Sequence, residues 1–132
     1  MTDKESQNDK MKSFPILRGE SVGENGEFTG WARIMKTPED LNRDWSTNEI
    51  AVLHHDLRDH FIKNPGDLDR LFSKVSAVLA EFGEAISEFA AVAYEREAIG
   101  VIKITDACHV LEDNMHIRVV AFENVGEIFF ID

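Results

Sequence analysis

The stretch from residue 68 to about residue 96 constrains the fold more than any other part of the sequence. When its residues are placed at the 100° interval of an α-helix, the apolar ones fall within one arc of roughly 120°. These residues are Leu68, Leu71, Phe72, Val75, Val78, Leu79, Phe82, Ile86, Phe89 and Ala93. Asp67 directly precedes the stretch and is a suitable N-cap. The pattern predicts one long amphipathic helix over residues 68–96.

A second helix is predicted over about residues 47–63. The letters STNE at 46–49 have the spacing of a capping box, in which the serine and the glutamate each bond the other's backbone. NPG at 64–66 is a typical helix end. The predicted buried stripe of this helix consists of Ile50, Leu53, Leu57 and Phe61.

After about residue 96 the spacing of the apolar residues changes from a helical pattern to an alternating one. Residues 99–105, 115–122 and 127–131 are rich in Val, Ile and Phe, which favours strands, and residues 28–36 are a fourth candidate. The expected fold class is therefore α+β. It has two layers, with a helical pair (about 47–63 and 68–96) packed on a mostly antiparallel sheet of about four strands. Residues 1–13 are predicted to be a flexible polar tail, and 14–132 a single domain.

The charge of the chain is uneven, and this narrows the range of partners. Residues 75–132 hold 3 Lys/Arg against 11 Asp/Glu, which is −8 of a total of −11. Binding to a phosphate backbone needs clustered cations, so nucleic acid is not expected as a direct ligand. A basic protein partner is expected instead.

Several other function classes lack their sequence signals. No run of about 18 apolar residues is present, so no membrane span is expected. Cys108 is the single cysteine, so no internal disulfide forms, and a cytoplasmic location is the default. P-loop, GxGxxG, GxSxG, HExxH and EF-hand motifs are absent. We therefore expect no cofactor and favour a non-enzymatic role.

The first functional hypothesis uses the polar face of the predicted long helix. This face carries Glu81, Glu84, Glu88 and Glu95. Such a stripe is often only a solvated face, but the local charge of −8 favours a docking surface. The protein would then be a small acidic inhibitor, immunity-type protein or adaptor that binds a basic partner. One form of this hypothesis is a nucleic-acid mimic, in which carboxylates replace phosphates.

The second hypothesis is a metal- or small-ligand-binding protein that uses the histidine-rich letters HHDLRDH at 54–60. On a helix over 47–63 the three imidazoles would leave in three directions, so no single ion could contact them all. Two pairs at i and i+4 remain, His55 with Asp59 and Asp56 with His60. Of these, His55 and Asp59 are the predicted metal ligands. Zinc needs at least three protein ligands, so the region 106–116, with Asp106, Cys108, His109, Asp113 and His116, would have to complete the site. Cys108 itself is expected to be structural.

A third hypothesis is a homodimer with a structural or regulatory role. The final letters EIFFID are apolar on both faces of a strand. Such a strand is expected to be central in its sheet or covered by a partner, because an exposed apolar edge promotes association. This hypothesis is compatible with the first one.

Overall fold

A closed mixed β-barrel with short helices forms the protein. The computed structural model describes residues 14–83 and 87–131. In that part of the chain seven strands close in the order β1-β5-β4-β3-β2-β6-β7. The strands are β1 Leu17–Ser21, β2 Gly26–Met35, β3 Glu49–Leu53, β4 Ala77–Ala80, β5 Ile99–Ile102, β6 His116–Phe122 and β7 Val125–Phe130. The helices are α1 Arg58–Lys63, α2 Gly66–Phe72, α3 Ser87–Glu95 and α4 Ala107–Val110, with 3-10 turns at Pro38–Asn42 and His55–Leu57.

Four neighbouring strands of the barrel run in the same direction. β2 pairs with β3, β3 with β4, and β4 with β5, all parallel. β1, β6 and β7 complete the barrel through antiparallel pairs. The four parallel strands therefore end together on one rim, which we call the carboxyl edge. Met35 and Leu53 are paired at this edge, and so are Leu53 and Ala80.

Two hydrophobic cores lie on the two faces of the parallel strands. The barrel interior holds residues such as Ile50, Leu79, Val101, Val119 and Ile128. The outer face of β3 and β4 carries a second core, with Val78 and Leu53, and it packs against Phe61, Leu71 and Phe89 of the helices. Consequently β3, β4 and β5 are buried on both faces along their whole length.

The predicted two-layer α+β fold with a long helical pair is wrong. Residues 49–53 of the first predicted helix form β3, and residues 77–80 of the second form β4. A parallel strand that is buried on both faces has a continuous apolar run rather than an alternating one. A short run of this kind is equally compatible with a segment of a buried helix, and this ambiguity caused the error.

Parts of the sequence reading agree with the structure at the level of single residues. Every described member of the predicted apolar arc over residues 68–96 is buried. The Ser46 backbone N–H donates to Glu49 Oε1 over 2.8 Å, but this contact closes a turn before β3 instead of starting a helix. The predicted tail, 1–13, lies outside the described residues. None of the described helices is long and apolar enough to cross a membrane.

Candidate functional site

A cavity of about 380 Å³ lies at the carboxyl edge of the barrel. Its walls are formed by Lys36, His54, His55, Glu81, Thr105, Asp106, Cys108 and His109. Lys36 directly follows β2, His54 follows β3, and Glu81 follows β4. Parallel strands thus deliver polar residues from separate parts of the chain to one place. Ligand sites in sheets of parallel strands are commonly found outside the carboxyl ends of the strands.

Glu81 holds three neighbouring segments together at the base of this cavity. Its Oε1 accepts hydrogen bonds from the backbone N–H of His55 over 2.8 Å and from His55 Nδ1 over 2.9 Å. Its Oε2 accepts from the backbone N–H of Cys108 over 2.8 Å. Only 7% of the side chain is exposed. The carboxylate therefore fixes the turn after β3 and the start of α4 relative to β4.

The Glu81 carboxyl group is held in its charged form. Burial alone raises its pKa, but the hydrogen bonds from the Cys108 and His55 backbones and from the His55 ring outweigh burial, with a further contribution from His54. The net result is a pKa below the usual value of a glutamate. An ionised carboxylate can only accept hydrogen bonds, so the proton in the contact with His55 resides on Nδ1.

The His55 ring lies between two carboxylates. Glu81 is at Nδ1, and Asp56 Oδ1 lies 3.3 Å from Nε2. In the ring form that carries a single proton, on Nδ1, Nε2 presents a lone pair to an acceptor oxygen. A cation placed between them would be attracted both by the lone pair of Nε2 and by the negative charge of the Asp56 carboxylate.

His54, His55 and Asp56 form a compact group of metal-ligating side chains. One donor atom from each lies within 4.8 Å of the others. The two imidazole centroids are 4.1 Å apart. The prediction that these histidines point in different directions is wrong, because residues 54–57 form an extended residue and a 3-10 turn instead of continuous α-helix. His60 lies on α1 and pairs with Asp67 over 2.7 Å.

The other residues predicted for a metal site are distributed differently. Asp59 is exposed and pairs with Arg58 over 3.2 Å, so Asp56 takes the place beside His55. The region 106–116 does approach His55, since Asp106, Cys108 and His109 line the same cavity. Asp113 accepts a hydrogen bond from the Ile34 backbone over 2.6 Å. His116 stacks on Trp31.

The four glutamates predicted as a docking surface are not carried by one helix. Glu81 follows β4 and lines the cavity. Glu84 lies outside the described residues. Glu88 and Glu95 are exposed on α3, seven residues apart and therefore on one face.

Cys108 faces the cavity as a neutral thiol. Burial, with a smaller contribution from the charge of Glu81, raises its pKa to about 12, although nearby Lys36 acts in the opposite direction. A thiol with such a pKa is a poor nucleophile at neutral pH. The structural role expected for Cys108 stays a prediction.

Sequence reasoning missed Lys36 and His54, named Asp56 only as a helical partner of His60, and assigned Glu81 to another surface. A signal was present, because His54 and Glu81 each directly follow an apolar run and Lys36 is the last residue of a predicted strand. Polar residues in that position become neighbours only when the runs are parallel strands. The signal was hidden because two of the three runs were assigned to helices.

The fold places the chain among closed mixed β-barrels. No protein-family profile and no curated protein matches the sequence. Among solved structures it is similar to a chain of holo-form aconitase X from Thermococcus kodakaraensis, with a TM-score of 0.55 and 18% identity over 85% of this chain and 96% of that one. It is also similar to a UPF0107 protein solved by solution NMR, with a TM-score of 0.56 and 13% identity over 91% and 99% of the two chains. At these identities the likeness is one of fold.

Proposed function

We propose that this chain binds one divalent transition-metal ion, with Zn²⁺ as the first candidate, through His54, His55 and Asp56. The observation that carries the proposal is the His55 ring between two carboxylates. With the proton on Nδ1, the lone pair of Nε2 and the charge of Asp56 both attract a cation placed between them. His54 is close enough to contribute a third ligand.

The donor set favours zinc and similar ions. Two imidazoles and one carboxylate suit Zn²⁺, Co²⁺ or Ni²⁺, whereas Mg²⁺ and Ca²⁺ prefer oxygen ligands. Three protein ligands leave at least one position of a tetrahedral ion open. The proposal is a binding function, and it assigns no reaction to the site.

Glu81 supports the proposal as an orienting residue. Metal-bound histidines commonly donate their second ring N–H to a carboxylate, which fixes the ring and increases its basicity. The contact from His55 Nδ1 to Glu81 Oε1 has this form. Metal binding by His54 Nδ1 would require the loss of one hydrogen bond. This atom accepts from the Asp56 backbone N–H over 3.1 Å, and a metal ion at the same atom would replace that contact.

The test is isothermal titration of untagged, chelator-treated protein with ZnCl₂. We expect one Zn²⁺ per chain. His55→Gln and Asp56→Asn should each weaken binding at least about tenfold, since each removes a ligand, and Glu81→Gln should weaken it about 10- to 100-fold.

Matched controls come from the same segment. His60→Gln and Asp59→Asn remove the same side-chain types a few residues away, outside the group of three. Both should bind Zn²⁺ like the unmodified chain, provided that thermal unfolding shows each variant to be folded. No saturable binding, or equal losses in the His55 and His60 variants, would refute the proposal.

Binding of a basic protein partner stays a prediction, and two of the four glutamates proposed for it still support it. Glu88 and Glu95 share an exposed face of α3, which supports a small acidic surface there. A pull-down with the Glu95→Lys chain tests it: capture of a basic protein at low salt, equal to that by the unmodified chain, would reject this surface. The nucleic-acid mimic and homodimer hypotheses, and the cytoplasmic location, also stay predictions.

A further inference from the structure

We infer that the metal-loaded site binds a small carboxylate ligand, with Lys36 supplying the second positive charge. This inference rests on the metal site proposed above. It concerns the cavity beside the three ligands, into which the open coordination position of the ion would face, because His54 and His55 both line that cavity.

The charges around the cavity determine when an anion can enter. Among the described residues that line it, Lys36 is the only lysine or arginine. Glu81 and Asp106 lie on the same walls, and Asp56 is part of the adjoining group of three. One cation therefore faces three carboxylates, and an anion is repelled. A divalent ion offsets the excess negative charge, so anion binding should require the metal.

Lys36 lines the same cavity as His54 and His55. Its backbone N–H donates to Asp40 Oδ2 over 2.9 Å, which fixes the chain where it leaves β2. Within the described part of the chain, its amino group has no hydrogen bond or ion pair. Its charge acts on the Cys108 thiol inside the cavity. The ammonium group is thus free to bind a ligand oxygen in a charge-assisted hydrogen bond.

The cavity has room for a ligand larger than the carboxylate group itself. A second cavity of about 350 Å³ shares Lys36 and Cys108 with the first and extends towards Arg43 and Asp113. The ligand class follows from the charge. One lysine and one metal against three carboxylates leave no net positive charge, which fits a singly charged carboxylate better than a doubly charged phosphate.

The test uses Co²⁺-loaded protein, because Co²⁺ takes the ligands of Zn²⁺ and its visible absorption reports coordination. The probe is glycolate, with inorganic phosphate as the comparison. We expect glycolate to change the absorption in a saturable manner and to bind more tightly than phosphate. Lys36→Gln should weaken glycolate binding about tenfold while metal stoichiometry stays at one. The control is Lys103→Gln, at the same edge but paired with Glu20 over 3.3 Å, and it should have no effect.

The outcomes separate this inference from the proposed function. Metal binding without a glycolate response, tighter binding of phosphate, or equal effects of the Lys36 and Lys103 variants would each overturn the inference and leave the metal site intact. Removal of the metal from the protein by glycolate would also overturn it. Absence of metal binding would overturn both.

Discussion

The two halves of the barrel differ in what covers their outer faces. Helices α1 to α3 pack on the parallel half, so β3, β4 and β5 are buried throughout. In the antiparallel half, β6 and β7 alternate between buried and partly exposed residues. The covered half also brings polar residues to one edge, because its strands run in one direction. The cavity at this edge is therefore a consequence of the parallel arrangement.

The largest expected effect comes from placing the same charge on the two outer faces. Val78 lies on the outer face of β4 and is fully buried under helices, whereas Val120 lies on the outer face of β6 and is only half-buried. Val78→Lys should lose the fold, because an unpaired buried charge costs more than about 4 kcal/mol. Val120→Lys should change the free energy of unfolding by less than about 1 kcal/mol, since Glu27 and Glu127 are its cross-strand neighbours.

Urea unfolding followed by circular dichroism measures both variants. A folded Val78→Lys chain with near-normal stability would show that the outer face of the parallel half is open to water. Severe loss in Val120→Lys would show that the antiparallel half is also covered. Either result would remove the distinction between the two halves.

A smaller but well-defined effect concerns Cys108 at the carboxyl edge. With its pKa raised to about 12, the thiol carries far less thiolate at pH 8 than an ordinary cysteine. Its reaction with a disulfide reagent should be about a thousandfold slower in the folded protein than in urea. Stopped-flow absorbance measures both rates. Similar rates in the folded and unfolded chain would contradict the burial of this thiol beside Glu81.

The same contrast explains how much of the fold could be read from the sequence. β6 is half-exposed and alternates, so the predicted strand over residues 115–122 closely matches it. β3 and β4 are covered on both faces, so their letters, EIAVL and AVLA, contain no alternation. Burial was predictable there, but conformation was not, because it depends on which elements cover the run.

The site was predictable only in part. His55 lines one cavity with Asp106, Cys108 and His109 of the region that was expected to lie beside it, and metal binding by these residues stays a prediction. Asp59 was chosen as the partner of His55, and Asp56 was paired with His60, because both pairs rested on helical spacing that the 3-10 turn at His55–Leu57 does not have. Glu81 is 26 positions from His55 in the sequence, and only the parallel pairing of β3 and β4 makes them neighbours.

The most direct test of the metal site is anomalous diffraction at the zinc absorption edge from crystals of the untagged protein grown with Zn²⁺. We expect one strong peak per chain, about 2.0–2.2 Å from donor atoms of His54, His55 and Asp56. The peak should face the cavity at the carboxyl edge. A peak at His60 or His116 instead, or no peak within bonding distance of His55, would rule out the proposed metal site.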